Sequence, residues 1–158
     1  MYYLDGGFRA WLEAGGPTDT TAPNFDAAPY GSGEQLGSYR VDAEWVRDHL
    51  DDESVALLDV RTSGEFADGF IPGAINIDWT TNVSNGAFLD ETALRTLFAP
   101  LGGAGDTVVV YCRSGSRASV SWAALHWLGF DALLYDGSWS EWGSLDPAEY
   151  PRSLPVGQ

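Results

Sequence analysis

A chain of 158 residues with 44% hydrophobic and 13% aromatic content can bury one ordinary core with room for a linker or tail, which excludes disordered and fibrous classes. Its 23 acidic residues face eight arginines and no lysine, and the net charge of −15 excludes nucleic acid and anionic membranes as partners, because phosphate binding needs clustered positive charge. A single cysteine rules out internal disulfides and four-cysteine zinc sites, and no apolar run approaches the roughly 20 residues of a membrane span, so a soluble, cytoplasmic protein without metal or cofactor is expected.

The chain opens on Asp5-Gly6-Gly7-Phe8-Arg9-Ala10-Trp11 and returns to that pattern at Asp136-Gly137-Ser138-Trp139-Ser140-Glu141-Trp142. Asp5, Gly6, Phe8 and Trp11 align with Asp136, Gly137, Trp139 and Trp142 at a constant offset, which predicts an internal repeat cut short, each copy ending in a strand, an Asp-Gly turn and an aromatic helix start. Pro17, Pro23 and Pro29 with several glycines and threonines read as linker. The expected organisation is therefore a tail of a preceding truncated repeat over 1–16, a linker over 17–37, a catalytic unit over 38–150 and a C-terminal tail over 151–158.

Within that unit Asp42 caps a predicted helix to residue 50 that carries Trp45, Val46 and Leu50 on one face. A nearly all-apolar strand spans 55–60, and a short strand spans 74–77. A loop with an Asn85-Gly86 turn leads to a helix over 90–98, ended by Pro100 and Gly102-Gly103. A second buried strand spans 107–111, a helix runs from about 117 to 128 with Gly129 in the stop position, and a strand covers 132–135. Strands alternating with helices predict an α/β fold whose central parallel sheet is covered on both faces.

The chemistry concentrates where the strand over 107–111 meets the next helix, in Cys112-Arg113-Ser114-Gly115-Ser116-Arg117. A strand, a short glycine-bearing loop and a helix place the cysteine at the carboxyl end of a parallel strand, where open α/β sheets bind ligands. The helix terminus, Arg113 and Arg117 favour the charged, nucleophilic form of the thiol. Small Ser114, Gly115 and Ser116 let several backbone N–H groups converge on an anion. A lone cysteine is more commonly a small buried hydrophobe, but two flanking arginines and a glycine turn at this junction favour catalysis.

These residues resemble the six-residue active loop of the rhodanese-type sulfurtransferases. Leu58-Asp59-Val60-Arg61, Glu65-Phe66 and Phe70-Ile71-Pro72-Gly73-Ala74-Ile75-Asn76-Ile77 are similar to that family's amino-terminal signature, and the stretch from Tyr135 to Gly143 to its carboxyl-terminal signature in the tandem two-domain form. The resemblance implies a three-layer fold and the catalytic second domain of a tandem enzyme. It also implies transfer of sulfur from a small anionic donor, thiosulfate or 3-mercaptopyruvate, to cyanide or a small-molecule or protein thiol through a Cys112 persulfide. Arg113, Ser114, Gly115, Ser116 and Arg117 would bind the donor. Phe70 stands where the family has histidine, and Glu65 where the animal enzymes carry a donor-binding arginine.

Cysteine phosphatases and arsenate reductases share a cysteine–arginine cradle, yet they resemble a pattern with five residues between the two, and here four lie between Cys112 and Arg117. A binding module without turnover is the natural reading where the cysteine is lost, and Cys112 is present. His49 is read as an exposed helix residue, His126 as packing or solvent-facing, Arg61 as a structural ion-pair partner, and Trp139 and Trp142 as core or domain-interface packing.

Overall fold

The computed structural model describes residues 4, 6–22, 24 and 39–155. The Tyr2-Tyr3 opening, Asp5, most of the linker expected over 17–37 and the last three residues of the expected tail lie outside the described residues.

In chain order the elements are helix α1 (Gly7–Glu13), strand β1 (Arg40–Val41), helix α2 (Ala43–Asp48), strand β2 (Val55–Asp59), helix α3 (Ser63–Ala67), strand β3 (Ile75–Asn76), the hairpin strands β4 (Val83–Ser84) and β5 (Ala87–Phe88), helix α4 (Glu91–Phe98), strand β6 (Thr107–Tyr111), helix α5 (Ala118–Leu128), strand β7 (Asp131–Tyr135) and helix α6 (Ser138–Trp142). Five strands form a parallel sheet in the order β1-β7-β6-β2-β3. Their side chains alternate between two cores. Val108, Val110 and Cys112 join Leu94, Phe98, Leu125 and Leu128 of α4 and α5 on one face. Val109 and Tyr111 join Ala43, Val46 and Trp142 of α2 and α6 on the other. The fold is thus the α/β class expected, a central parallel sheet with helices on both faces.

The pairing of β2 with β6 runs in register from Val55 opposite Thr107 to Asp59 opposite Tyr111. The residues that follow these two strands, Val60-Arg61 and Cys112, therefore emerge side by side at the carboxyl edge of the sheet. Gly129 takes the left-handed conformation, φ 89°, that stops α5.

The structure differs from expectation at several boundaries. Helix α2 ends at Asp48 rather than at residue 50. The His49 ring stacks on Trp45 at 3.8 Å and its Nδ1 contacts the Trp45 carbonyl at 2.8 Å, while the His49 N–H turns to Val46, so a side chain occupies the carbonyl that would continue the helix. Contrary to the exposed position expected, His49 is half-buried because its ring packs on Trp45, and exposed His126 stacks against Trp122. The Asn85-Gly86 turn closes the β4–β5 hairpin with φ values of 53° and 83°, the left-handed pair that two-residue hairpin turns require. Residues 151–153 are tied back to the domain, since Phe70 and Ser153 exchange backbone hydrogen bonds and Trp142 Nε1 donates to the Pro151 carbonyl at 2.9 Å.

Helix α1 buries none of its residues, and Phe8 and Leu12 are exposed on it. Its Gly7, φ 58°, aligns in sequence with Ser138, φ 55°, so the same unusual backbone conformation opens α1 and α6. Among the described residues no helix is long and apolar enough to cross a membrane.

Candidate active site

Cys112 follows β6 directly and is 1% exposed, its side chain set among Val110, Ala118 and the rest of the α5-side core. Arg113, Ser114 and Ser116 are exposed, Gly115 is buried, and Arg117 is half-buried at the residue preceding α5. The loop is therefore a shallow rim around a recessed sulfur. Gly115 adopts φ 81°, and a side chain there would collide with Asp136 Oδ1 and lie 3.1 Å from the Asp136 carbonyl oxygen. Gly115→Ala is expected to lower the rate of Cys112 alkylation and of sulfur uptake together, by roughly tenfold or more, because conformation and space both forbid the methyl group.

The loop is gripped from behind by the start of α6. Ser138, fully buried, accepts hydrogen bonds on Oγ from the Cys112 N–H at 3.2 Å and the Gly115 N–H at 3.0 Å, and donates to the Tyr135 carbonyl at 2.9 Å. The N–H groups of Trp139 and Ser140 donate to the carbonyls of Cys112 and Arg113, both at 3.0 Å, so the first free donors of α6 are satisfied by the loop itself. Two of the N–H groups expected to face an anion are thus spent on Ser138. Those of Arg113, Ser114, Ser116 and Arg117 donate to no acceptor among the described residues.

The two loop arginines occupy different surroundings. Arg117 makes a bidentate pair with Glu65, Nη1 to Oε2 at 2.7 Å and Nη2 to Oε1 at 2.8 Å. Glu65 is held for that contact by a capping box at the start of α3: its backbone N–H donates to Thr62 Oγ1, and its carboxylate accepts from the Thr62 N–H. The Arg117 guanidinium, with Thr62 assisting, pulls the Glu65 carboxyl down to about 2, so it is ionised throughout the neutral range. Glu65 chiefly, and the neighbouring Cys112 sulfur to a smaller degree, hold the Arg117 guanidinium charged well above its ordinary value. Arg113 has no ion-pair partner among the described residues. It faces a cleft of roughly 340 Å³ beside the loop, lined also by Arg61, Glu65, Asp68, Trp139 and Ser140.

Arg61 is 2% exposed and forks onto fully buried Asp59 with contacts of 2.6 and 3.0 Å, while its Nη2 also donates to the Gly69 carbonyl at 2.7 Å. Trp139 covers the guanidinium face at 4.7 Å. The pair is structural: a buried arginine so saturated has little left for a ligand, and removing one partner of such a pair typically costs about 3–5 kcal/mol. Trp142 is a core residue that meets Tyr135 and Tyr150 edge-on, whereas Trp139 both packs on Arg61 and lines the cleft. Phe70 stacks on Phe66 at 4.0 Å.

Sequence reasoning thus placed Cys112 and its loop at the junction of β6 and α5 but missed Ser138 as the loop's strut and Glu65 as Arg117's partner. The Thr62–Glu65 spacing is a capping-box signature that reveals α3 and aims its carboxylate. Nothing local marks Ser138, whose role depends on a contact 26 residues away in sequence.

Residues 42–145 match the rhodanese-like domain family. The chain is 36% identical over 163 residues to a thiosulfate sulfurtransferase of Corynebacterium glutamicum, covering 90% of this chain and 54% of that protein. It is 36% identical over 168 residues to the sulfur carrier protein TtuD of Thermus thermophilus, covering 90% and 58%. The chain spans somewhat more than half the length of these relatives. Among solved structures, the anaerobic ergothioneine biosynthesis enzyme of Chlorobium limicola, in complex with trimethyl histidine, aligns with a TM-score of 0.75 at 25% identity, covering 98% of this chain and 41% of that one.

Proposed function

The chain belongs to the rhodanese-like domain family, and from that premise we propose that it is a sulfurtransferase in which Cys112 carries sulfur as a persulfide. The observation that carries the reading is a recessed thiol at the carboxyl edge of the sheet, followed by a loop of which four backbone N–H groups have no acceptor among the described residues and in which Arg113 has no ion-pair partner. The Cys112 thiolate attacks the outer sulfur of thiosulfate, a new S–S bond forms, the donor's S–S bond breaks, and sulfite leaves with the electron pair. Cyanide or a thiol then attacks the terminal persulfide sulfur and regenerates the thiolate. With 3-mercaptopyruvate as donor the broken bond is C–S, the electron pair leaves on the pyruvate enolate, and the donor's own S–H proton, given up by the new persulfide, turns that enolate into pyruvate.

No general base is needed once the thiolate exists. Arg113 draws the anionic donor to the rim, Ser114 and Ser116 leave room for it, and the free N–H groups stabilise charge on the sulfur. Gly115 permits the turn that aims them, and Arg117 holds the end of the loop against α3. Thiol acceptors, small or protein-borne, fit the exposed rim, and the sulfur-carrier relative supports a protein acceptor. The matched Gly7 and Ser138 conformations support reading residues 6–16 as an echo of the unit's own end.

Intact mass tests the proposal. Incubation with thiosulfate should add the mass of one sulfur atom, and cyanide should remove it as thiocyanate. A protein that gains no mass from either donor, or that hydrolyses an aryl phosphate in a Cys112-dependent way, overturns it.

A further inference from the structure

The Arg117–Glu65 pair sits beside the thiol, and its two side chains keep only 27% and 28% of their surface exposed. Both carboxylate oxygens of Glu65 are engaged and both terminal nitrogens of Arg117 answer them. The bidentate contact therefore cancels the arginine's charge at the place where a donor's anionic group arrives. What remains at the rim is Arg113 and the neutral N–H dipoles. A donor with two negative charges meets a single uncompensated cation, Arg113, in a cleft that the carboxylates of Glu65 and Asp68 also line. A singly charged donor satisfies Arg113 and feels about half the repulsion from Glu65.

Given the sulfurtransferase reading, we infer that Glu65 is a specificity-determining residue, biasing sulfur uptake toward singly charged sulfane donors by neutralising Arg117. Thiosulfonates, RSO2–S⁻, are that donor class. The Cys112 thiolate attacks their outer sulfur, the persulfide S–S bond forms as the donor S–S bond breaks, and a sulfinate RSO2⁻ leaves with the electron pair. The total charge of −2 is the same on both sides of this step. With thiosulfate the same step releases sulfite and carries a total charge of −3 within the site.

The test compares kcat/KM for thiosulfate and for benzenethiosulfonate in the parent and in Glu65→Gln, at one ionic strength. Glutamine's one carbonyl oxygen, in the place of Oε2, accepts from the Thr62 N–H and from Arg117 Nη1 as that oxygen does, so the α3 cap is preserved while the charge and the second Arg117 contact are removed. The thiosulfate-to-thiosulfonate ratio should rise roughly tenfold in Glu65→Gln, mostly through a lower KM for thiosulfate, as expected for one unmasked charge acting on one extra unit of donor charge in a partly shielded site. Glu65→Asp keeps the charge and should hold the ratio within about twofold of the parent, which separates charge from packing if Glu65→Gln is destabilised. A ratio that does not move in Glu65→Gln, or that moves equally in Glu65→Asp, overturns the inference. A parent that takes up sulfur from neither donor overturns instead the sulfurtransferase reading on which it rests.

Discussion

Cys112→Ser is expected to fold and to lose sulfur uptake completely, neither gaining the mass of a sulfur atom from thiosulfate nor releasing sulfite. The Cys112 side chain is buried, and a hydroxyl occupies slightly less space than a thiol, so the α5-side core around Val110 and Ala118 closes over it with little change. Burying the more polar group costs about 1 kcal/mol, a fall of about 2–4 °C in melting temperature for a chain of this size. The chemical loss is far larger. A serine hydroxyl is scarcely ionised near neutral pH and forms no stable bond to sulfane sulfur, whereas a thiolate forms that bond readily. Because Cys112 is the chain's one thiol, no other residue can take over, and no internal disulfide can discharge the persulfide. Sulfur transfer at the parent rate by a folded Cys112→Ser protein would place the carrier elsewhere.

How much of this was legible follows from the range of each interaction. The apolar strands over 107–111 and 55–60, the helix cap at Asp42, the helix start at Asp90 and the stop at Gly129 are set by neighbours in sequence, and each stands within one or two residues of expectation. The place of Cys112 was legible for the same reason, since strand, glycine loop and helix are contiguous. The electrostatics of the loop were not. Arg117 read as a donor clamp when only Cys112 and its own helix were in view; the carboxylate that takes it comes from residue 65, 52 positions away. Likewise the expected ring of inward N–H groups lost two members to Ser138, across the α5 and β7 segments. Local pattern predicts where a loop stands, and long-range contacts decide which of its charges and donors stay available.

Ser138 carries the second large expectation, because it holds the loop through one oxygen. Its hydroxyl answers three buried backbone groups at once, the N–H of Cys112, the N–H of Gly115 and the carbonyl of Tyr135, from a backbone at φ 55° that side chains seldom adopt. Ser138→Ala keeps that backbone and orphans all three groups, which should cost about 2–4 kcal/mol, or a drop of about 5–15 °C in melting temperature. Ser138→Gly orphans the same groups but relieves the left-handed conformation, so it should recover about 1 kcal/mol and melt above the alanine variant. If Ser138 were only structural, activity would follow melting temperature and the glycine variant would outperform the alanine one. As a positioning residue it predicts another outcome: both variants should lose roughly tenfold or more in kcat for sulfur transfer, to similar extents, with KM for the donor little changed, since the loop's grip on Cys112 and Gly115 is lost equally in the two. Activity measured below both melting transitions separates these cases. A glycine variant that regains parent kcat would show that Ser138 supports the fold and leaves the nucleophile's placement to the rest of α6.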